Sequence, residues 1–134
     1  MADCLFCRIA AGEVPTALVY ESPGGVAFLD RFPAARGHTL VVPRIHAATL
    51  GDLPDEAIGG LFQAVKAVTH KITDALHPMA FHIGWNHGEA AGQQVFHLHV
   101  HVIPRYTPGR GIQSLGSGGG KGDLSEVAAA IRKA

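Results

Sequence analysis

Residues 97–103 read His-Leu-His-Val-His-Val-Ile, with three imidazoles at every second position of an otherwise apolar run. Side chains of a β-strand alternate between its faces, so the histidines share one face while Leu98, Val100 and Val102 occupy the other. Burying three titratable rings along one side of a core strand is costly unless they have a use. An imidazole that is neutral near pH 7 attacks phosphorus well, and the phosphohistidine it forms is readily hydrolysed. That chemistry needs one bare ring nitrogen and a partner that fixes the other. It also needs neighbours that hold phosphate oxygens and protonate the leaving group. Metal ligation is the competing use. Same-face strand residues lie roughly 6.5–7 Å apart, which separates His97 and His101 by about 13 Å, whereas zinc–nitrogen bonds are only about 2.0–2.1 Å. Two neighbouring rings can share an ion, but all three cannot easily close on one.

The second feature is Cys4-x-x-Cys7, which holds the only two cysteines. In a reducing compartment this spacing reads as metal or redox chemistry more than as a structural disulfide. A thioredoxin-like motif follows a strand, and only three residues precede this pair. A metal site needs two further ligands. Two unrelated apolar thiols are the alternative.

The elements that must position these groups follow from periodicity and punctuation. Cys4–Ala11 reads as a short helix ended by Gly12 and Pro15. Residues 17–20 and 26–29 read as strands joined by a turn over 21–25, and His38–Val42 as a third strand closed by Pro43. Asp52 is placed as N-cap of one long helix, with Pro54 in its first turn. Ile58, Leu61, Phe62, Val65, Val68, Ile72 and Leu76 form its apolar stripe, and it ends before Pro78. Ala80–Trp85 and Phe96–Ile103 complete five strands. Gly116–Gly122 reads as a flexible connector. It is not a phosphate loop, because Walker spacing from Lys121 wants glycine at Leu115 and Ser or Thr at Gly122. Asp123–Lys133 closes the chain as a short helix. The sum is an α+β fold with a five-stranded, mainly antiparallel sheet, one long helix and short terminal helices. It is expected as a single domain over 1–134, with its core at about 4–105 and a tail over 106–134.

Lys plus Arg and Asp plus Glu both number 11, so the formal charge of the 134-residue chain is zero. That balance gives no reason to expect a nucleic-acid or anionic-membrane partner. No apolar run approaches bilayer length, and the start lacks a basic segment followed by an apolar signal core, so a cytoplasmic location is expected.

The pattern His97-Leu-His-Val-His-Val-Ile103 resembles the signature of the histidine triad (HIT) nucleotide hydrolases and transferases. The likeness extends through Gly92-Gln93, Asn86 and Arg36-Gly-His38-Thr-Leu-Val-Val-Pro43 to the N-terminal segment 4–15. The resemblance implies that His99 is the nucleophile, forming a covalent nucleotidyl-histidine, with its other ring nitrogen held by a backbone carbonyl. It implies that His101 contacts the phosphate and assists the leaving group, that His38 supports the triad, and that Asn86 and Gln93 donate to phosphate oxygens. Asp30 falls where the family accepts from ribose hydroxyls. Leu5, Phe6, Phe28, Leu29 and Leu40 fall where apolar side chains line a base pocket. Gln94 departs from the pattern, standing where many members carry Ser or Thr. The resemblance further implies a structural zinc on Cys4, Cys7, His46 and His97, a normal closed set of two thiolates and two imidazoles. It also implies a homodimer.

The expected activity is cleavage of an AMP-like nucleoside monophosphate from a phosphoramidate, acyl phosphate or dinucleoside polyphosphate. The alternatives are a nucleotide-binding sensor or scaffold with incidental hydrolysis, and a catalytic metal at the triad. His70, His77, His82 and His87 read as surface or helix-end residues, and Arg105 as a solvated rim.

Overall fold

The computed structural model describes residues 4–114 and 124–133. Strands β1 (Leu18–Ser22), β2 (Gly25–Leu29), β3 (Thr39–Val42), β4 (Ala80–Gly84) and β5 (Val100–Arg105) form one antiparallel sheet in the order β1-β2-β3-β5-β4. The helices are α1 (Leu5–Ala10), α2 (Asp55–Leu76) and α3 (Leu124–Lys133). This is the expected α+β arrangement.

The sheet's two faces are covered differently. On one face α2 lays Leu61, Ala64, Val65, Val68 and Ile72 against Ala27, Val41, Leu98, Val100 and Val102. On the other, the short α1 packs Phe6, Ile9 and Ala10 over Val26, Phe28, Leu40 and Val42. Each buried side chain of this size contributes roughly 1.5–3 kcal/mol of transfer free energy. The long helix therefore anchors one face, while the other is only partly roofed. The β1–β2 turn rests directly on α2: a Cβ on Gly24 would lie 2.6 Å from the Gly60 Cα, so backbone meets backbone there.

Several boundaries shift by a few residues from the sequence reading, and three departures have a clear local reason. The long helix starts at Asp55 with Pro54 as its cap. Asp52 instead closes a 3-10 turn over Leu50–Asp52, its Oδ2 accepting from the Thr49 N–H at 3.2 Å and the Thr49 hydroxyl at 3.0 Å. The apolar stripe holds from Leu61 onward, but Ile58 lies near the helix start and is 36 % exposed, while Ala64 takes a core position. The last strand begins at Val100, not at Phe96. Pro43 has no N–H to extend the β3–β5 ladder, and the Leu98 N–H turns to the Ala47 carbonyl at 2.7 Å. The connector expected at Gly116–Gly122 lies outside the described residues. Among the described residues no helix is long and apolar enough to cross a membrane.

Candidate active site

His97 and His99 sit in the bend that enters β5, yet the alternation of faces persists. Leu98 joins Val100 and Val102 under α2, while His97 and His99 lie on the α1 side. There Phe6 packs edge-on against both rings, with centroids 6.1 Å and 5.2 Å away. The rings then diverge, because the main chain gives each a different partner.

The His97 Nε2 lies 2.9 Å from the Pro43 carbonyl oxygen. A carbonyl can only accept, so Nε2 carries the proton and Nδ1 keeps a bare lone pair. That Nδ1 is 3.3 Å from Cys4 Sγ and 3.4 Å from Cys7 Sγ, and Cys7 Sγ is 3.2 Å from His46 Nδ1. All four ligand atoms lie within 4.8 Å of one another. A tetrahedral zinc, with bonds of about 2.3 Å to sulfur and 2.0–2.1 Å to nitrogen, places its S and N ligands roughly 3.5 Å apart. The observed spacings are close to that value, and the Pro43 carbonyl supplies the outer hydrogen bond typical of a metal-bound imidazole. The donor set therefore fits the metal. Local sequence assembles it: Cys4 caps α1, its sulfur accepting the Cys7 N–H at 3.3 Å, so one turn of helix brings both thiols to one end. Burial, then the neighbouring Cys4, pushes the Cys7 thiol up to about 11, so binding a cation there must release protons.

His99 is wired in the same way but faces elsewhere. Its Nδ1 donates to the His97 carbonyl at 2.8 Å, which leaves Nε2 as the bare nitrogen. His97 thus serves two sites, its ring turned to the thiols and its carbonyl to His99.

His101 is set from the opposite direction. The Ala34 N–H donates to His38 Nδ1 at 3.0 Å, which fixes the His38 proton on Nε2. His38 Nε2 lies 2.9 Å from His101 Nδ1 and 3.5 Å from Asp30 Oδ2. His101 Nδ1 accepts, so the proton of neutral His101 is on Nε2. Burial lowers the pKa of His38 against the opposing pull of Asp30. Burial, reinforced by the charges of His99 and His38, brings His101 down to about 4. Both rings are neutral at pH 7. Asp30, His38 and His101 also bring three ligand atoms together. A metal on His38 Nε2 would, however, demand an imidazolate, because Nδ1 already accepts from Ala34. The trio is a hydrogen-bond relay.

His99 and His101, ring centroids 5.1 Å apart, line one cavity of about 480 Å³. Leu5, Phe6, Phe28, Leu29 and Leu40 form its apolar wall. Asp30, Asn86 and Gln94 also line it. The Asp30 carboxylate is oriented by accepting the Phe32 N–H at 2.9 Å.

One expected residue is displaced. Gln93 is 3 % exposed and does not line the cavity. Its Oε1 accepts the Gly88 N–H at 2.8 Å, and its Nε2 donates to the Ala48 and Val95 carbonyls at 2.6 and 3.0 Å. With both ends of the amide engaged, Gln93 shapes the loop that carries Gln94 and has no donor to spare for phosphate. The cavity also has walls that sequence reasoning missed, among them Ile9, Thr16, Arg31 and Phe32. Arg31 and Phe32 directly follow Asp30, and that adjacency was the available signal.

An open antiparallel sheet thus places a histidine with a bare ring nitrogen in a cavity and a cysteine–histidine cluster beside it. The HIT domain family matches residues 11–108, and the chain belongs to that family. It is 43% identical over 109 residues to Protein hit of Bacillus subtilis, covering 81% of this chain and 75% of that one. It is 38% identical over 103 residues to the adenosine 5′-monophosphoramidase hnt1 of Schizosaccharomyces pombe, covering 77% and 74%. Among solved structures it is similar to a Zn-bound histidine triad family protein from Mycobacterium smegmatis. That match has a TM-score of 0.72 at 34% identity and covers 98% and 92% of the two chains.

Proposed function

We propose that the protein is a nucleotidyl hydrolase or transferase that carries a nucleoside monophosphate on His99. The observation that supports it best is the pairing of tautomers in one cavity. His99 has a bare Nε2 because the His97 carbonyl holds Nδ1, and His101 has an Nε2 proton because His38 holds its Nδ1. In the first step the His99 Nε2 lone pair forms a bond to the α-phosphorus as the bond to the leaving nitrogen or oxygen breaks. His101 donates its Nε2–H as a hydrogen bond to that atom, which takes its proton from solvent. Water then forms a P–O bond and loses its proton to solvent, the P–N bond breaks with its electron pair returning to His99 Nε2, and the monophosphate is released. Asn86 and Gln94 supply donors to the phosphate oxygens, Asp30 accepts from the ribose, and the apolar wall takes the base.

Zinc belongs to this reading as a structural ion on Cys4, Cys7, His46 and His97, pinning α1 to the sheet. So does a cytoplasmic homodimer. Cysteines not joined in a disulfide suit a reducing compartment, and among the described residues β4 is a sheet edge, with Ile83 43% exposed.

The test is intact-mass analysis after rapid mixing with adenosine phosphoramidate. An adduct of one adenylyl group is expected on the native protein and none on His99→Ala. Tight AMP binding with no adduct and no turnover would instead make the protein a binding module.

A further inference from the structure

Two polar side chains of the nucleotide cavity have no part in the chemistry at phosphorus. His99, His101, Asn86 and Gln94 serve the phosphate and Asp30 the ribose, which leaves the Thr16 hydroxyl and the Arg31 guanidinium among apolar neighbours. Both lie toward one end. Edge-on ring contacts run from His99 to Phe6 at 5.2 Å and from Phe6 to Phe28 at 5.4 Å, carrying the apolar wall away from His99 and along β2. At the end of that strand the Leu29 N–H donates to the Ala17 carbonyl at 3.0 Å. This bond brings the 16–17 segment beside the point from which Arg31 departs.

Arg31 is held by its main chain and free at its tip. The Asp30 N–H donates to the His38 carbonyl at 2.9 Å, and Asp30 Oδ1 accepts the Phe32 N–H at 2.9 Å. The turn so closed sets Arg31 and Phe32 on the border of the cavity, Phe32 with 86% of its surface exposed. Among the described residues no carboxylate pairs with Arg31, and no other guanidinium or ammonium group lines this cavity. A guanidinium can only donate, and it donates as a planar fork. Such a group sorts purines. Guanine shows two adjacent acceptors, O6 and N7, which match the fork, whereas adenine shows N7 beside the N6 amino donor.

Resting on the function proposed above, we propose that Arg31 is a specificity-determining residue that reads the O6–N7 edge of a 6-oxopurine. The monophosphate carried on His99 is then guanylyl in preference to adenylyl. Phe32 offers its exposed ring to the outer face of that base, and the apolar wall takes the inner face. The bonds made and broken at phosphorus are those already given.

The test uses the full-length, zinc-loaded chain and reads ratios, so that any loss of folded protein cancels. For turnover, kcat/KM for guanosine phosphoramidate should exceed that for adenosine phosphoramidate by about tenfold, the scale of one bidentate contact. For binding, measured in His99→Ala, GMP and IMP share O6 and N7 and should both bind about tenfold tighter than AMP, an advantage that 7-deaza-GMP should mostly lose. Adding Arg31→Met should bring the GMP-to-AMP ratio to within about twofold of one, and Arg31→Lys, which keeps the charge without the fork, should also lose most of it. Equal affinity for GMP and AMP, or a ratio that survives Arg31→Met, overturns the assignment. A preference for GMP that IMP does not share places recognition at the 2-amino group and overturns it too. If native protein forms no nucleotidyl adduct while the binding ratio still falls in Arg31→Met, the covalent mechanism fails and the base reading stands. Adducts formed equally well from both phosphoramidates, with equal binding, have the opposite meaning.

Discussion

The thiol cluster and the relay beside the cavity are built from the same side chain, and they use opposite ends of it. At the cluster, His97 turns its proton outward to the Pro43 carbonyl, and its lone pair converges with two sulfurs and His46. At the relay, the Ala34 N–H occupies the outer lone pair of His38, so a proton points inward to His101. Converging lone pairs suit a cation. A proton passed in line suits general acid–base work. His97 and His101 are equivalent in spacing, yet the atom behind each ring separates one that turns a lone pair to the thiols from one that turns an N–H to the cavity.

The comparison breaks most sharply at His99. Replacing it with Ala should lower turnover at least about a thousandfold while leaving the far-UV spectrum and the zinc content of the protein unchanged. Retained turnover would assign the chemistry elsewhere. Cys7→Ser acts on the other cluster. Zinc per chain, read by elemental analysis, should fall from one toward zero, with a loss in stability of several kcal/mol by denaturant unfolding. The fraction that stays folded should still form the His99 adduct.

Acid separates the two clusters next. His101 has a folded pKa of about 4, below the ordinary value of 6.5, so the unfolded chain binds its proton first as pH falls. Stability from this group is fully present above about pH 6.5 and is lost between there and pH 4, by an order of 1–3 kcal/mol. Proton NMR should show the His101 ring resonances moving only near pH 4; movement near 6.5 would mean that the ring is not buried in the relay. The smallest expected effect is at Gln93. Gln93→Ala should cost about 1–3 kcal/mol by leaving buried backbone groups unpaired. Its effect on AMP affinity should be less than on stability, since the side chain does not reach the cavity.

Alternation alone was enough to put His97, His99 and His101 on one face and Leu98, Val100 and Val102 on the other, because two-residue periodicity survives even in the bend before β5. The resemblance at Cys4, Cys7, His46 and His97 named a ligand set whose atoms do converge. What could not be read was decided by groups common to every residue. Nothing in the letters Pro43 and Ala34 says that one offers a carbonyl to His97 and the other an N–H to His38. Gln93 and Gln94 show the same limit: adjacent and identical, they point to opposite surroundings, one closed by backbone and one open to the cavity. Asp52 misled because a good cap residue serves a 3-10 turn as readily as the helix that follows.

The tautomers of His38, His97 and His99 are each set by a main-chain atom. Peptide groups persist through almost any amino-acid exchange, so the side chains around the cavity are free to diverge without rewriting where the protons reside. Gln94, which lines the cavity, can change without touching any of those main-chain contacts. The lining of the cavity can thus change on this scaffold while the proton positions of these rings are inherited intact.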